Sequence, residues 1–249
     1  MEVMIVDRSL ILLAGYPATG KTDLTNRILA RHPEEPFGLV APDDIKEEVW
    51  DEVGFGSAEE KAALETVVWS RYYERLEAML AAGRPVITDY PFSEKQRSRL
   101  QALAGDHSYR VLTVRLVGDP STIYARSLKR DLAPTRHLGH LVNRYRPGDA
   151  LADRSQADAL VTLDLFLERC RTKGYDRFQL GEIIEVDATD VGVIDYPALL
   201  DRIDAFLAGI DIISSRNTID ERRTAKNVSR RSFGKRREFG RILDKRLLI

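Results

Sequence analysis

Short apolar runs alternate along the chain with longer stretches in which apolar residues recur every three or four positions. The short runs have the length and the Val, Ile and Leu content of buried strands. They lie at residues 10–14, 37–41, 85–89, 111–117 and 183–187. Helical periodicity fills the intervals between them. This alternation predicts an α/β fold in which five strands form a parallel sheet with helices packed on it.

Residues that commonly begin or end helices stand at the borders of the periodic stretches. Ser57 opens a capping-box pattern at the start of the longest stretch, and Gly83 stands where that stretch ends. Asp119 followed by Pro120 is an equally clear start for a later helix. A last helix is expected at 197–207.

The first apolar run leads into a loop that reads G-x-x-x-x-G-K-T, and a helical stretch follows it. Strand, glycine loop and helix form the context that a phosphate-binding loop requires. Its glycines let consecutive N–H groups turn toward a phosphate, and the helix N-terminus adds the positive end of its dipole. Lys21 is expected to reach the β- and γ-phosphates, and Thr22 to ligate Mg²⁺. The residues predicted to bind the nucleoside triphosphate are Gly15, Ala18, Thr19, Gly20, Lys21 and Thr22.

The apolar run at 85–89 ends in an acid, Asp89. The C-terminal ends of the strands line the ligand crevice in sheets of this kind. Asp89 is therefore expected beside the loop, where it holds Mg²⁺ through water. The alternative is that Asp89 caps the next helix.

An acid pair, Asp43 and Asp44, follows the second run. Transfer of a phosphoryl group to a hydroxyl needs a group that accepts the hydroxyl proton and a group that holds the acceptor molecule. Asp43 is the candidate base, and Lys46, one helical turn further on, is the candidate contact to the acceptor. The alternative is that Asp43 or Asp44 only caps the helix from 45 to 50.

Arg126 and Arg130 lie four residues apart on the helix that Asp119 begins, so they face the same side. The segment 126–146 holds six Lys or Arg residues and one acid. A basic segment that closes over a triphosphate stabilises transition-state charge and excludes water. We therefore predict a helical basic lid at about 126–150, with Arg126 and Arg130 as catalytic residues. The alternative is a solvated helix face.

The strings GYPATGKT, PDDIK and PVITD, followed by the lid arginines, resemble a group of P-loop kinases in their order and spacing. This group includes the polynucleotide 5′-kinases, the zeta-toxin sugar-nucleotide kinases and chloramphenicol phosphotransferase. The resemblance covers about residues 8–208. It implies a P-loop NTPase three-layer α/β/α sandwich with strand order 2-3-1-4-5, Mg²⁺·ATP as donor and a hydroxyl compound as acceptor. It also implies that Asp43, which matches the acid after the second strand, is the general base.

The same resemblance gives expected roles to other residues. Lys46 stands where the group usually has arginine, so the chain departs from the pattern there. Arg97 resembles an arginine that often follows the third-strand acid, and its alternative role is a structural salt bridge. Arg136 and His137 begin a string, R-H-L-G-H, that resembles one found in many members; it lines the acceptor pocket, packs within the lid, or binds a metal through its histidines. Thr189, after the fifth strand, is expected near the adenine.

Cysteine content and hydropathy indicate the compartment. The chain has one cysteine, Cys170, which excludes a disulfide framework and favours a reducing compartment. The N-terminus does not resemble a signal peptide, and no apolar run approaches the roughly 18 residues of a membrane span. We therefore expect a cytoplasmic protein without a membrane partner.

Charge is distributed unevenly although the formal net charge is −1. Residues 214–249 carry 12 basic and 4 acidic residues, whereas the rest of the chain carries 26 and 35. We predict a P-loop kinase domain at 1–209 and a basic tail at 210–249 that is mobile or partly helical. The tail either contacts nucleic acid by neutralising phosphates, acts as a solubilising extension, or docks on its own acidic domain.

Three functions remain open on this basis. The first is an ATP-dependent kinase that phosphorylates a hydroxyl of a small molecule or nucleotide-like acceptor. The second is an ATP-binding or ATPase protein that its tail recruits to nucleic acid, and the third is a polynucleotide 5′-hydroxyl kinase. The acidic body and Lys46 argue against the third function, and the basic tail argues for it. The acceptor-side acid and the basic lid favour the first.

Overall fold

The computed structural model describes residues 8–210 and contains a five-stranded sheet. Its strands are β1 (Ser9–Gly15), β2 (Gly38–Leu39), β3 (Val86–Asp89), β4 (Arg110–Val117) and β5 (Glu182–Asp187). Every pair of neighbours within this sheet is parallel, and the order is β2-β3-β1-β4-β5. The predicted α/β fold and the strand order implied by the resemblance are therefore confirmed.

Seven α-helices connect or follow these strands in the described part of the chain. They are α1 (Lys21–Arg31), α2 (Pro42–Val53), α3 (Ala58–Ala81), α4 (Glu94–Asp106), α5 (Pro120–Leu132), α6 (Leu163–Thr172) and α7 (Tyr196–Leu207). Short 3₁₀ turns occur at 138–140, 154–156 and 191–193. β2 is shorter than the predicted strand 37–41, because only Gly38 and Leu39 pair in register with β3.

Alternation along β1 distributes its side chains to the two faces of the sheet. Leu10 and Leu12 join the apolar cluster that α3 and α4 build on one face. Ile11 and Leu13 point to the opposite face and are equally inaccessible to solvent. Because both faces of β1 are buried, this strand reads as a continuous apolar run in the sequence.

The residues predicted to begin or end helices do so in the structure. The Ser57 hydroxyl accepts from the backbone N–H of Glu60 at 3.2 Å and caps α3. Asp119 caps α5 by accepting from the N–H of Thr122 at 2.8 Å. Gly83, which follows the last turn of α3, has a φ of 71°. The sequence therefore predicted these helix ends correctly.

The described residues divide into two units after Tyr196, and the second unit, as far as it is described, continues α7 to its end near Leu207. The basic tail expected at 210–249 lies outside the described residues, except for its first residue. The boundary between 1–209 and the tail therefore stays a prediction. In the described part of the chain, no helix is both long and apolar enough to cross a membrane.

Gly15 stands at a point where the sheet leaves no space for a side chain. Its φ is 106°, and a β-carbon there would overlap the carbonyl group of Leu116 on β4. Gly83 has a similar left-handed conformation, but a β-carbon would meet nothing within 4 Å. Alanine substitutions at these two glycines therefore separate the free-energy cost of the left-handed conformation from the cost of the steric overlap.

We expect Gly15→Ala to lower the free energy of unfolding more than Gly83→Ala does. The left-handed conformation alone costs about 1–2 kcal/mol for an alanine, and overpacking at Gly15 adds about 1–3 kcal/mol. Urea unfolding of both variants measures the difference. Equal losses would show that the close approach to Leu116 does not constrain this position.

Candidate active site

The loop between β1 and α1 forms a cradle of backbone N–H groups. Gly15, Ala18 and Gly20 all have positive φ, at 106°, 61° and 89°. The Thr19 hydroxyl donates to the carbonyl of Tyr16 at 2.9 Å and fixes the turn. No side chain caps the N-terminus of α1, so its first N–H groups are available to an anion. The loop therefore fits the phosphates of a nucleotide.

Lys21 begins α1, and its ammonium group donates to the Tyr16 carbonyl at 2.7 Å. Burial lowers the pKa of Lys21 to about 8, and the charge of Arg130 acts in the same direction. Asp89 and Asp43 oppose this shift. A bound polyphosphate would place negative charge beside the ammonium and raise its pKa, so nucleotide binding is linked to protonation of Lys21.

Asp89 ends β3 beside the loop, because parallel pairing sets it opposite Leu13 of β1. Its carboxylate accepts from the Thr22 hydroxyl at 3.0 Å. Hydroxyl and carboxylate oxygens are the donors that P-loop proteins offer to Mg²⁺, so this pair fits the ion. Ser93 and Gln96 form the capping box of α4, and Asp89 is therefore not needed as the cap of that helix.

The described residues contain no larger cluster of side chains that would hold a metal ion by themselves. No group of three or more His, Cys, Asp or Glu side chains among the described residues could hold a metal ion. In phosphoryl-transfer sites Mg²⁺ usually takes one or two protein oxygens and completes its shell with substrate phosphates and water. Burial raises the pKa of Asp89, and a nearby cation would favour its ionised form. The Thr22–Asp89 pair suits a metal that arrives with the nucleotide.

One face of α2 lines the same cavity as the phosphate-binding loop. Asp43, Lys46 and Glu47 share this face because residues three and four apart lie on one side of a helix. Lys46 donates to the Tyr90 hydroxyl at 3.0 Å and lies 3.3 Å from a carboxylate oxygen of Glu65. Neither acid in the first turn of α2 makes a side-chain cap. Capping therefore does not account for Asp43.

The charges around Asp43 keep it ionised. Burial alone would raise its pKa, but the surrounding cations outweigh this effect and lower the pKa of Asp43 to about 2. The permanently charged groups among them are, in order of effect, Lys46, Arg136 and Arg130, and His140 adds to them only when it is protonated. Asp43 is consequently a carboxylate at every physiological pH.

Arg136 connects the segment after α5 to three carboxylates. Its guanidinium nitrogens lie 3.5 Å from Asp43, 3.7 Å from Glu47 and 3.7 Å from Asp131. Only 16% of the Arg136 side chain is exposed. Asp131 also pairs with Arg130 at 2.8 Å. A single network of ion pairs therefore links the end of α5 to the acid-bearing face of α2.

Arg126 and Arg130 serve different parts of the cavity. The Arg126 guanidinium donates to the carbonyl of Thr189 at 2.8 Å and to that of Ala188. Arg126 lines the cavity but is held at the loop after β5. Arg130, one turn later, is near enough to lower the pKa of Lys21. Of the two arginines predicted for the lid, Arg130 is therefore the one near the phosphate-binding loop, and Arg126 is the one at the loop after β5.

An aromatic cluster anchors the segment that follows α5 on α2. The Trp50 ring lies 4.8 Å from the His140 ring and 5.8 Å from the His137 ring, measured between centroids. Asp51 accepts from the Tyr145 hydroxyl and lies 3.0 Å from Nε2 of His137. The two histidines therefore pack against α2, and His140 also lines the cavity that contains the phosphate-binding loop.

The cavity that these elements enclose has a volume of about 660 Å³. The predicted site residues that line it are Ala18, Gly20, Lys21, Thr22, Asp43, Lys46, Asp89, Arg126, Arg130 and Arg136. The predicted residues outside its lining are Gly15, Thr19, Arg97, His137 and Thr189. Arg97 lies 3.4 Å from Glu94 on α4, which is the salt bridge given as its alternative role. His137 lines a separate cavity of about 650 Å³.

Several charged or hydroxyl-bearing side chains of the cavity were not predicted. They include Glu47, Tyr90, Arg169 and Tyr175. Glu47 had a usable signal, because it lies four residues after Asp43 and so on the same helix face. Arg169 lies three residues after Phe166 on α6, but nothing in the sequence indicates which part of the molecule that face meets.

A family model described as an AAA domain matches residues 10–147 of the chain. This span contains the phosphate-binding loop, the acid-bearing face of α2, the end of β3 and the lid arginines. No curated protein matches the chain in sequence.

Solved structures share the fold. A candidate kinase from Chloroflexus aurantiacus J-10-fl is 25% identical to the chain, with a TM-score of 0.61, over 80% of this chain and 97% of that chain. A gluconokinase from Sinorhizobium meliloti 1021 is 15% identical, with a TM-score of 0.45, over 82% of this chain and 93% of that chain. At that TM-score the second likeness carries no argument about function. The fold is that of a P-loop kinase-like protein.

We expect Trp50→Ala to release the segment 137–145 from α2, because it removes the ring on which both histidines pack. Amide hydrogen exchange in this segment should become severalfold faster, while exchange in β1 stays unchanged. Trp69→Ala is the matched control, since Trp69 packs on Tyr72 and Tyr73 of α3 instead. Unchanged exchange at 137–145 in Trp50→Ala would show that the segment is held by other contacts.

Proposed function

The chain belongs to the AAA-domain family of P-loop proteins, and we propose that it is an ATP-dependent kinase. It transfers the γ-phosphoryl group of Mg²⁺·ATP to a hydroxyl of a small molecule or nucleotide-like acceptor. One observation carries this proposal: Asp43, a carboxylate outside the phosphate-binding loop, lines the same cavity as Lys21. Transfer to a hydroxyl requires both groups at one site.

The nucleotide would occupy the cradle between β1 and α1. Its β- and γ-phosphates accept hydrogen bonds from the loop N–H groups and from Lys21, and Arg130 adds positive charge at the same end. Thr22 and Asp89 would hold Mg²⁺, which neutralises charge on the transferred phosphoryl group when it is bound. Arg126 supports an adenine site at the β5 loop, because it fixes two carbonyl groups there.

Asp43 acts on the acceptor hydroxyl. With a pKa of about 2 it is a weak base, so it first accepts a hydrogen bond and orients the hydroxyl oxygen toward the γ-phosphorus. It takes the proton only after bonding to phosphorus has made the hydroxyl acidic. Arg136 holds the carboxylate in place, and Lys46 contacts the acceptor beside it.

The rival function is an ATPase in which Asp43 orients water instead of an acceptor. Both functions use the same nucleotide site, so the dependence of ADP release on an added hydroxyl compound decides between them. A polynucleotide 5′-hydroxyl kinase would also depend on the basic tail, which lies outside the described residues.

We expect Asp43→Asn to reduce acceptor-dependent ADP release by about 100-fold or more, because a general base typically contributes that factor. Affinity for Mg²⁺·ATP should change little. The assay compares sugars, polyols, antibiotics, nucleosides and 5′-hydroxyl oligonucleotides as acceptors. Asp44→Asn is the matched control, since its carboxylate is the neighbour in the same helical turn and should be dispensable for proton transfer.

Three outcomes would contradict this mechanism. ADP release that needs no acceptor and is indifferent to Asp43→Asn would support the ATPase. A loss of ADP release in Asp44→Asn but not in Asp43→Asn would show that Asp44, and not Asp43, is the general base. Loss of ATP binding in Asp43→Asn would assign Asp43 to the nucleotide site.

We expect ATP affinity to fall as pH rises through about 8. Lys21 of the free protein is protonated below that pH and loses its charge above it, so affinity should decrease by at most about tenfold per pH unit at higher pH. Calorimetric titration from about pH 6.5 to about pH 9.5 measures this.

Lys61→Met is the control for the pH series, because burial lowers the pKa of Lys61 to about 8 as well. Lys61 does not line the nucleotide cavity, since its ammonium donates to the Val142 carbonyl at 3.0 Å. The variant should keep the pH dependence of the wild type. A dissociation constant that is independent of pH, or a dependence abolished by Lys61→Met, would contradict the role given to Lys21.

A further inference from the structure

Six lysine or arginine side chains in the described part of the chain line the cavity, and five of them are already engaged. Lys21 and Arg126 donate to backbone carbonyl groups. Lys46, Arg130 and Arg136 are paired with carboxylates. Those carboxylates are Asp43, Glu47, Glu65 and Asp131.

Arg169 is the sixth and differs from the others. Its side chain is exposed and lines the cavity. Within residues 8–210 its guanidinium has neither a hydrogen bond nor an ion pair. All its donors are therefore available to a molecule that enters the cavity.

The backbone that carries Arg169 is firmly held. Phe166 and Cys170, on either side of it in α6, are only 3% and 2% exposed. The Thr162 hydroxyl caps the helix by accepting from the N–H of Leu165 at 3.4 Å. Arg169 thus extends from a packed helix, so little backbone ordering is needed when it binds a ligand.

Arg169 lines the cavity together with Lys46, Tyr90 and Tyr175. Burial raises the pKa of Tyr175, and the charges of Arg169 and Lys46 both oppose this rise, so the three side chains lie near one another. Tyr90, which accepts from Lys46, is close enough to act on Tyr175 as well. Arg169, Tyr175 and Lys46 therefore border one region, and that region contains the proposed contact to the acceptor.

We propose that Arg169 is a specificity-determining residue that binds an anionic group, a carboxylate or a phosphate, on the acceptor. This inference rests on the proposed kinase function, since it names the class of compound that receives the phosphoryl group. A guanidinium pairs with carboxylate or phosphate through two parallel hydrogen bonds. The neutral hydroxyl of Tyr175 can donate a further one. A polyol without a charge would gain none of these charge-assisted bonds.

Binding of matched compounds to the full chain, saturated with Mg²⁺ and the non-hydrolysable analogue AMP-PNP, tests the inference. The pairs are glycerate and glycerol, gluconate and sorbitol, ribose 5-phosphate and ribose, and uridine monophosphate and uridine. In at least one pair, the wild type should bind the anionic member about tenfold or more tightly. The carboxylate and phosphate pairs distinguish the two sources of the anion.

Arg169→Gln should abolish that preference, and Arg169→Lys should keep part of it. Arg171→Gln is the matched control, because Arg171 is an exposed arginine of the same helix that does not line the cavity. It should leave the preference unchanged.

Three results would overturn the inference. In the first, the anionic member is not preferred in any pair. In the second, the preference survives Arg169→Gln. In the third, AMP-PNP affinity falls in Arg169→Gln as much as acceptor affinity does, which would assign Arg169 to the nucleotide site.

Phosphorylation of each bound compound tests the kinase function separately. An anion preference that Arg169→Gln removes, without phosphorylation of any compound, would support the anion site and contradict the kinase.

Discussion

Parallel pairing of β1 with β3 and β4 is the constraint on which the rest of the site depends. Register with β3 sets Asp89 opposite Leu13 and so beside the start of the phosphate-binding loop. Pairing with β4 brings the backbone of Gly15 into close contact with Leu116. The N–H of Tyr16 donates to the Leu116 carbonyl at 3.1 Å. These contacts therefore fix the direction in which the phosphate-binding loop leaves the sheet. Its conformation and the position of the acid that fits Mg²⁺ are both consequences of strand register.

The charged side chains that line the cavity are a second constraint on the site. Acidic and basic side chains both line its wall, and the ion pairs of Arg136 connect the end of α5 to α2. The segment after α5 also packs on Trp50 through its two histidines. The segment that the sequence predicts as a basic lid is thus joined to α2, the helix that carries Asp43, by ion pairs and by aromatic packing. Movement of this segment would reposition the groups around Asp43 at the same time.

Local signals predicted the parts of the molecule that depend on local chemistry. The five strands, the phosphate-binding loop and the caps at Ser57 and Asp119 follow from short stretches of sequence, while the strand order came from the resemblance. The separate positions of Arg126 and Arg130 were not predictable, because one helical face was expected to serve one ligand. Arg169 was missed for a similar reason. The role proposed for Arg169 depends on where α6 packs, and contacts between residues distant in sequence decide that position.

The fate of the γ-phosphoryl group of ATP distinguishes a kinase from an ATPase most directly. ³¹P nuclear magnetic resonance of reactions with each acceptor shows whether phosphorus appears in a phosphate ester or as inorganic phosphate. A kinase forms a phosphate ester of one hydroxyl compound in equal amount to ADP, and this is the expected result. Inorganic phosphate as the sole product with every acceptor would contradict it and identify the protein as an ATPase.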